Sequence, residues 1–271
     1  MAEVTSRTVV LGVEYDGGAF HGFQSQKHAS NVQDALESAI GQVANEPVRV
    51  AAAGRTDAGV HATAQVVSFQ TTAERSPDAW RRGVSSLTPD TIGIVWSRIL
   101  DHPFHARFDA VWRRYVYVYT DAPARPVIHR NLVAWSRQPL VHEPMHEAAQ
   151  CLVGEQDFST FRAAGCQSVS PCRRVESVRV ERVNGYLAID IVANAFLLHM
   201  VRNIAGALHT VGVGDLTVAT FQQLFDGRDR TKAPPTAPPQ GLYLVGVGYP
   251  EMALPVRPPP VLAGNAAGSA G

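Results

Sequence analysis

Residues 54–61 read Gly-Arg-Thr-Asp-Ala-Gly-Val-His, set between one apolar run over 48–53 and another over 60–69. Two apolar runs so close together, broken by glycines, fit a strand, a tight turn and a second strand. The turn carries a single carboxylate, Asp57, framed by Gly54 and Gly59, with Arg55 two positions before it. Glycines and small residues let a backbone come close to a ligand. An Asp between glycines often does no more than bond the N–H groups of its own turn. Held at such a turn, a carboxylate is also placed to act as a nucleophile or a base.

The surrounding pattern predicts more of the same mixture. Residues 8–15 read as a strand that ends at Asp16-Gly17-Gly18. A helix opens at Ser30 or Asn31, with Ser30 and Gln33 as a capping box, and Val32, Leu36, Ala39, Ile40 and Val43 follow at helical spacing. Strands near 48–53 and 64–69 come next, then a helix over 77–86 with Pro77 in its first turn and a strand over 92–99. A second set begins after Pro103. Residues 111–119 form a strand with Tyr115, Tyr117 and Tyr119 on one face, and 144–152 a short helix. Residues 175–181 and 186–193 form a hairpin about Asn184-Gly185, and 196–211 the longest helix. Thr217 caps another helix with Phe221, Leu224 and Phe225 inward, and 242–247 closes as a strand. Both halves read as strands mixed with two helices, an α+β class in which two similar units share an antiparallel sheet. The expected boundaries are an N-terminal half over 1–103, a second half over 104–250 and a disordered Pro-, Ala- and Gly-rich tail over 251–271.

Composition excludes some functions. No apolar run approaches the roughly 18 residues that a membrane span needs, and residues 1–7 are polar, without the apolar core of a signal peptide. The expectation is a cytoplasmic protein. The three cysteines, Cys151, Cys166 and Cys172, show no zinc spacing and read as buried or incidental thiols. Net charge is zero, which argues weakly against a nucleic-acid partner, yet net charge does not fix its distribution. The cations are almost all Arg, Lys27 and Lys232 being the lysines, and guanidinium groups suit phosphate.

The string over 54–61 resembles the signature of the pseudouridine synthases, in the form of the bacterial tRNA pseudouridine synthase A family. Glu14-Tyr15-Asp16-Gly17, Gly22-Phe23-Gln24, Phe104-His105-Ala106-Arg107-Phe108 and Arg113-Arg114-Tyr115 are similar to further family segments. So are Asn194-Ala195-Phe196, the run from His199 to Ile204, and Gly241-Leu242-Tyr243-Leu244-Val245, so that the likeness covers residues 8–250 in order. It implies a central antiparallel sheet built from two ferredoxin-like halves, with helices packed on it and an active-site cleft between the halves. It implies an isomerase that turns uridine into pseudouridine in the anticodon stem-loop of tRNA, at roughly positions 38 to 40. It further implies a homodimer that needs neither cofactor nor metal.

The resemblance gives roles to residues. Asp57 is the nucleophile, adding to C6 of uracil or trapping the sugar at C1′, the latter as in retaining glycosidases. Tyr115 stacks on the uracil or moves a proton, and Arg202 pairs with the Asp57 carboxylate. Arg55 helps hold the target nucleotide out of the stack, and Arg107, Arg113 and Arg114 are candidate phosphate contacts. Two other classes compete. His142-Glu143-Pro144-Met145-His146 matches the zinc-hydrolase pattern, but Pro144 is expected to mark the helix start and leave His142 outside it. A non-catalytic RNA-binding module is the other, against which the presence of Asp57, Tyr115 and Arg202 argues.

Overall fold

A computed structural model describes residues 6–263. The chain divides into two compact units, one of Met1–Val111 with Leu244–Arg257 and the other of Trp112–Tyr243 with Pro258–Gly271. The class is α+β, with ten strands and five α-helices among the described residues.

The first unit holds β1 (Arg7–Tyr15), α1 (Val32–Ala44), β2 (Ala51–Ala52), β3 (His61–Thr71), α2 (Pro77–Leu87) and β4 (Ile92–Leu100). Its sheet runs β4-β1-β3, and beyond β3 comes β10 (Leu242–Gly248), which from Leu244 onward belongs to this unit. β1 is antiparallel to both neighbours, with Leu11 opposite Val67 on β3 and Ser97 on β4. The alternating pattern of a half-buried strand is absent from β1, where Thr8 to Val13 are all buried, as befits an inner strand covered on both faces. Ser76 caps α2 by accepting the Ala79 N–H, and Pro77 fills the first position, where its missing N–H costs nothing. That helix turns Trp80 wholly inward, edge-on to Phe69 of β3 at 5.3 Å.

The second unit holds β5 (Trp112–Thr120), β6 (Ala134–Trp135), α3 (His142–Ala149), β7 (Gly154–Asp157), β8 (Cys172–Val183), β9 (Tyr186–Ala193), α4 (Met200–Gly212) and α5 (Val218–Asp226). Its strands run β5-β9-β8-β7, with β6 parallel to β5. Asn184 and Gly185 turn the β8–β9 hairpin with φ of 51° and 82°, as a tight two-residue turn demands. Under the helices lies an aromatic core, in which Phe161 stacks on Phe225 at 5.7 Å. This unit carries three helices rather than two.

Several local expectations need correction. Asn31, not Ser30, caps α1, its Oδ1 accepting the Asp34 N–H at 2.8 Å, while Gln33 Oε1 accepts Ser25 N–H at 3.1 Å, so no capping box forms. β2 is only two residues long. α4 begins at Met200 instead of Phe196 and, at 13 residues, matches α1 instead of exceeding it. α3 starts at His142, which places Pro144 third in the helix, still within the first turn where an N–H would have no helical acceptor and its absence costs nothing. Cys151 and Cys166 are half-buried and Cys172 is exposed. The tail is ordered through residue 263: Arg257 N–H donates to Val245 O at 2.9 Å and its guanidinium meets Glu14 at 2.8 Å. Asn184 Nδ2 donates to Leu262 O at 3.2 Å. Residues 264–271 lie outside the described residues. No helix among the described residues is long and apolar enough to cross a membrane.

Candidate active site

The turn that carries Asp57 joins β2 to β3 and is fixed from beneath by a buried amide. Gln65 of β3 is 0% exposed. Its Nε2 donates to Gly54 O at 2.7 Å and to Tyr15 Oη at 3.3 Å. Its Oε1 accepts N–H from Val66 at 3.2 Å and from Gly54 at 3.4 Å. Tyr15 Oη in turn shares a hydrogen with Thr56 Oγ1 at 2.8 Å. Burial pushes the Tyr15 phenol up to about 12, against the smaller lowering effect of its bonds to Thr56 and Gln65, so the ring stays neutral and able to donate. One residue on, Asp57 is half-buried.

The segment over residues 17–23 grips the same turn by its backbone. Phe23 N–H donates to Thr56 O at 3.0 Å, and Gly59 N–H to Phe20 O at 3.4 Å. Gly59 has φ of 77°, a conformation that a side chain resists. Gly17 comes so close that a Cβ there would stand 1.9 Å from Val60 O. His61 Nδ1 accepts the Gly17 N–H at 3.1 Å. The Asp16 carboxylate lies 3.1 Å from that nitrogen and also accepts the Gly18 N–H. The strand–turn–strand pattern thus becomes a rigid hairpin with Asp57 at its bend, and the glycines serve close packing.

Arg55 is exposed beside Asp57 in the chain. Partial burial of its guanidinium lowers its pKa, and the positive charge of Arg107 lowers it further. Two guanidinium groups that repel one another on an exposed surface form a place where an anion gains energy.

In the second unit, Tyr115 on β5 is 7% exposed, with its ring edge-on to Phe196 at 5.0 Å. Tyr117 and Tyr119, two and four residues on, donate to Pro238 O at 2.7 Å and Ala205 O at 3.4 Å, a structural role. Arg202, in the first turn of α4, donates from Nε to Ala237 O at 2.9 Å and accepts the Ala237 N–H at its own carbonyl at 3.1 Å. Its charge reaches Tyr117, whose pKa burial raises and Arg202 partly lowers. Arg113 is 8% exposed and donates to Asn194 O at 2.9 Å. Arg114 forms a forked pair with Asp190, and that bond raises its pKa. The second unit therefore gathers Tyr115, Arg113 and the 194–202 segment, while the first gathers Arg55, Asp57 and Arg107.

His142 is inside α3 after all, with Nδ1 3.2 Å from Glu143 Oε2. His146 is turned against the sheet, its Nδ1 accepting the Val180 N–H at 3.2 Å. Among the described residues no three His, Cys, Asp or Glu side chains group as a metal ion requires. Residue-by-residue reading overlooked Gln65, Thr56 and Tyr15. A signal was present: Gln65 is a lone amide in the run Ala62 to Phe69, where a polar side chain needs a partner if buried.

The family model for tRNA pseudouridine synthase matches residues 12–109 and 148–250. A tRNA pseudouridine synthase A of Pseudoalteromonas atlantica is 51% identical over 248 residues, covering 91% of this chain and 94% of the relative. That of Chromobacterium violaceum is 51% identical over 251 residues, with 92% and 96% covered. That of Cronobacter sakazakii is 47% identical over 262 residues, with 96% and 97% covered. The Asp57 hairpin lies within the matched span.

Proposed function

Because the chain belongs to the tRNA pseudouridine synthase family, we propose that Asp57 is the nucleophile with which it acts on uridines of the tRNA anticodon stem-loop, at roughly positions 38 to 40. It is an isomerase that converts uridine to pseudouridine in tRNA. The reaction breaks the N1–C1′ bond, turns the uracil, joins C5 to C1′ and loses the hydrogen of C5 as a proton, with no net oxidation. The carboxylate waits on a bend whose two sides are held by buried hydrogen bonds, and this supports Asp57 most directly. A nucleophile must be held still to gain from proximity.

Arg55 and Arg107 take the backbone phosphates, and Arg55 keeps the extruded nucleotide from restacking. Tyr115 offers a ring for the uracil, and its hydroxyl serves proton transfer. Arg202 is the cationic member of the catalytic set with Asp57 and Tyr115. Arg113 and Arg114 serve the scaffold first, since Asn194 and Asp190 already occupy them. The working form is a homodimer in the cytoplasm without metal or cofactor.

Transfer RNA transcribed with 5-tritiated uridine tests this reading. Tritium appears in solvent without free uracil, and chelators leave the rate unchanged. Free uracil equal to the tritium released marks a glycosidase instead. Inhibition by chelator that zinc reverses removes the metal-free mechanism. Mapping the pseudouridines at single-nucleotide resolution decides the anticodon assignment, and sedimentation equilibrium decides the dimer.

A further inference from the structure

Phe108 is 73% exposed, on a turn that is anything but loose. Phe side chains ordinarily go inside. Here the turn over residues 105–109 is closed twice, by His105 N–H donating to Asp109 Oδ2 at 2.7 Å and by Asp109 N–H donating to His105 O at 3.1 Å. Ala106 fastens it to the first unit: its N–H donates to Ser68 Oγ at 2.9 Å and its carbonyl accepts Tyr249 O–H at 2.7 Å. The Phe108 ring is therefore presented to solvent by a rigid base.

Its surroundings are aromatic and cationic. The His105 ring lies 4.3 Å from it, tilted by 31°. That imidazole is locked in place, because its Nδ1 accepts N–H from Arg107 at 3.2 Å and from Phe108 at 3.3 Å. The Arg107 guanidinium stands 5.7 Å from the Phe108 centroid. Arg55 is close enough for the charge of Arg107 to act on it. The nearby carboxylate of Asp109 is engaged by the turn backbone. An apolar protein partner would have to strip water from two guanidinium groups to cover this ring. A nucleotide suits all of it at once, with a base face for the ring and phosphates for the cations.

We infer that Phe108 is a stacking platform for an unpaired base of the bound tRNA, with Arg107 and Arg55 holding the phosphates beside it. This rests on the reading of Arg55 and Arg107 given above. Turning a uracil out of a helix leaves its neighbours with an uncovered face, and a fixed aromatic ring can replace the lost stack. Phe108 is thus a positioning residue for the substrate.

The test uses the full chain with Phe108→Ala, Phe108→Leu and Phe108→Trp, and tRNA carrying 5-tritiated uridine. Filter binding at fixed salt should show Phe108→Ala and Phe108→Leu weakened by about 5- to 150-fold, the effect of losing one base–aromatic stack. The loss should fall on KM more than on kcat, and Phe108→Trp should restore it. Leucine keeps apolar area without a π face, so it separates stacking from plain apolar contact. Thermal melting should be unchanged, as expected for so exposed a side chain. Wild-type affinity in Phe108→Ala, or in Phe108→Leu, overturns the inference. So does a variant that changes sedimentation without changing affinity, which would assign the ring to a second copy of the chain. If the wild-type protein binds tRNA but releases no tritium, the function proposed above fails while the binding series still decides the role of Phe108.

Discussion

On the role proposed for Asp57, removing its side chain separates chemistry from binding, because the protein must hold a polyanion. RNA affinity comes mostly from phosphate contacts. Asp57→Ala is expected to abolish tritium release while leaving filter binding unchanged or slightly tighter. A variant that kept a tenth of the wild-type rate, or that lost tRNA together with activity, would contradict the nucleophile assignment. Gln65 tests the support beneath. It is wholly buried and serves Gly54, Tyr15 and Val66. Gln65→Ala leaves these groups short of partners and opens a cavity, at a cost of about 2–4 kcal/mol. Urea unfolding measures it, and a loss under about 1 kcal/mol would mean that water or a shifted turn replaces the amide. The Asp57 turn was legible because its octapeptide is contiguous. Its support was not, because Tyr15 stands 41 residues from Thr56 and 50 from Gln65, and only folding brings them together.

At the scale of elements, signals that act within a few residues were readable. Pro77 opens α2, Asn184-Gly185 turns the hairpin and Thr217 caps α5 by accepting the Thr220 N–H. The start of α4 was not readable, because the apolar pattern continues upstream while distant partners hold the backbone out of the helix. Asn194 Oδ1 accepts N–H from Arg174 at 3.0 Å, and His199 sits at φ of 58°. The close approach of α4 to the 233–238 segment was equally hidden. A Cβ on Gly206 would stand 2.1 Å from Pro235 O and 3.2 Å from Ala237 N. In an open helix, Gly→Ala gains about 1 kcal/mol. Here Gly206→Ala is expected to lose about 2 kcal/mol or more, since backbone has to move. Because Arg202 is tied to Ala237 by two hydrogen bonds, tritium release should fall further than the unfolded fraction explains. A Gly206→Ala protein with a higher urea midpoint than wild type would show that the segment yields freely.

Across the whole molecule, buried phenols set an alkaline limit. Burial raises the pKa of Tyr15 to about 12, and it raises those of Tyr117 and Tyr119 as well. An unfolded tyrosine loses its proton near pH ~10, whereas Tyr15 in the fold keeps it until pH ~12. Between those values the folded state holds more protons, so rising pH favours unfolding. The contribution of Tyr15 is whole below pH ~10 and worth about 3 kcal/mol by the shift cited. The melting temperature should therefore fall steeply above pH ~10, and Tyr15→Phe should flatten the curve in that window; a curve flat to pH ~12 would sink the account. Both units share this limit, and they share a schedule as well. Residues 244–257 belong to the unit that opens the chain, and β10 supplies its sheet with the strand beside β3. On a ribosome adding about 5–20 residues per second, that unit waits on the order of 10 s, with the β3 flank uncovered, for a strand that follows Trp112–Tyr243 in the chain. The nascent chain thus passes through an interval with an open sheet edge, a natural client for a chaperone. A chain cut short before Leu244 would spoil the first unit along with the second.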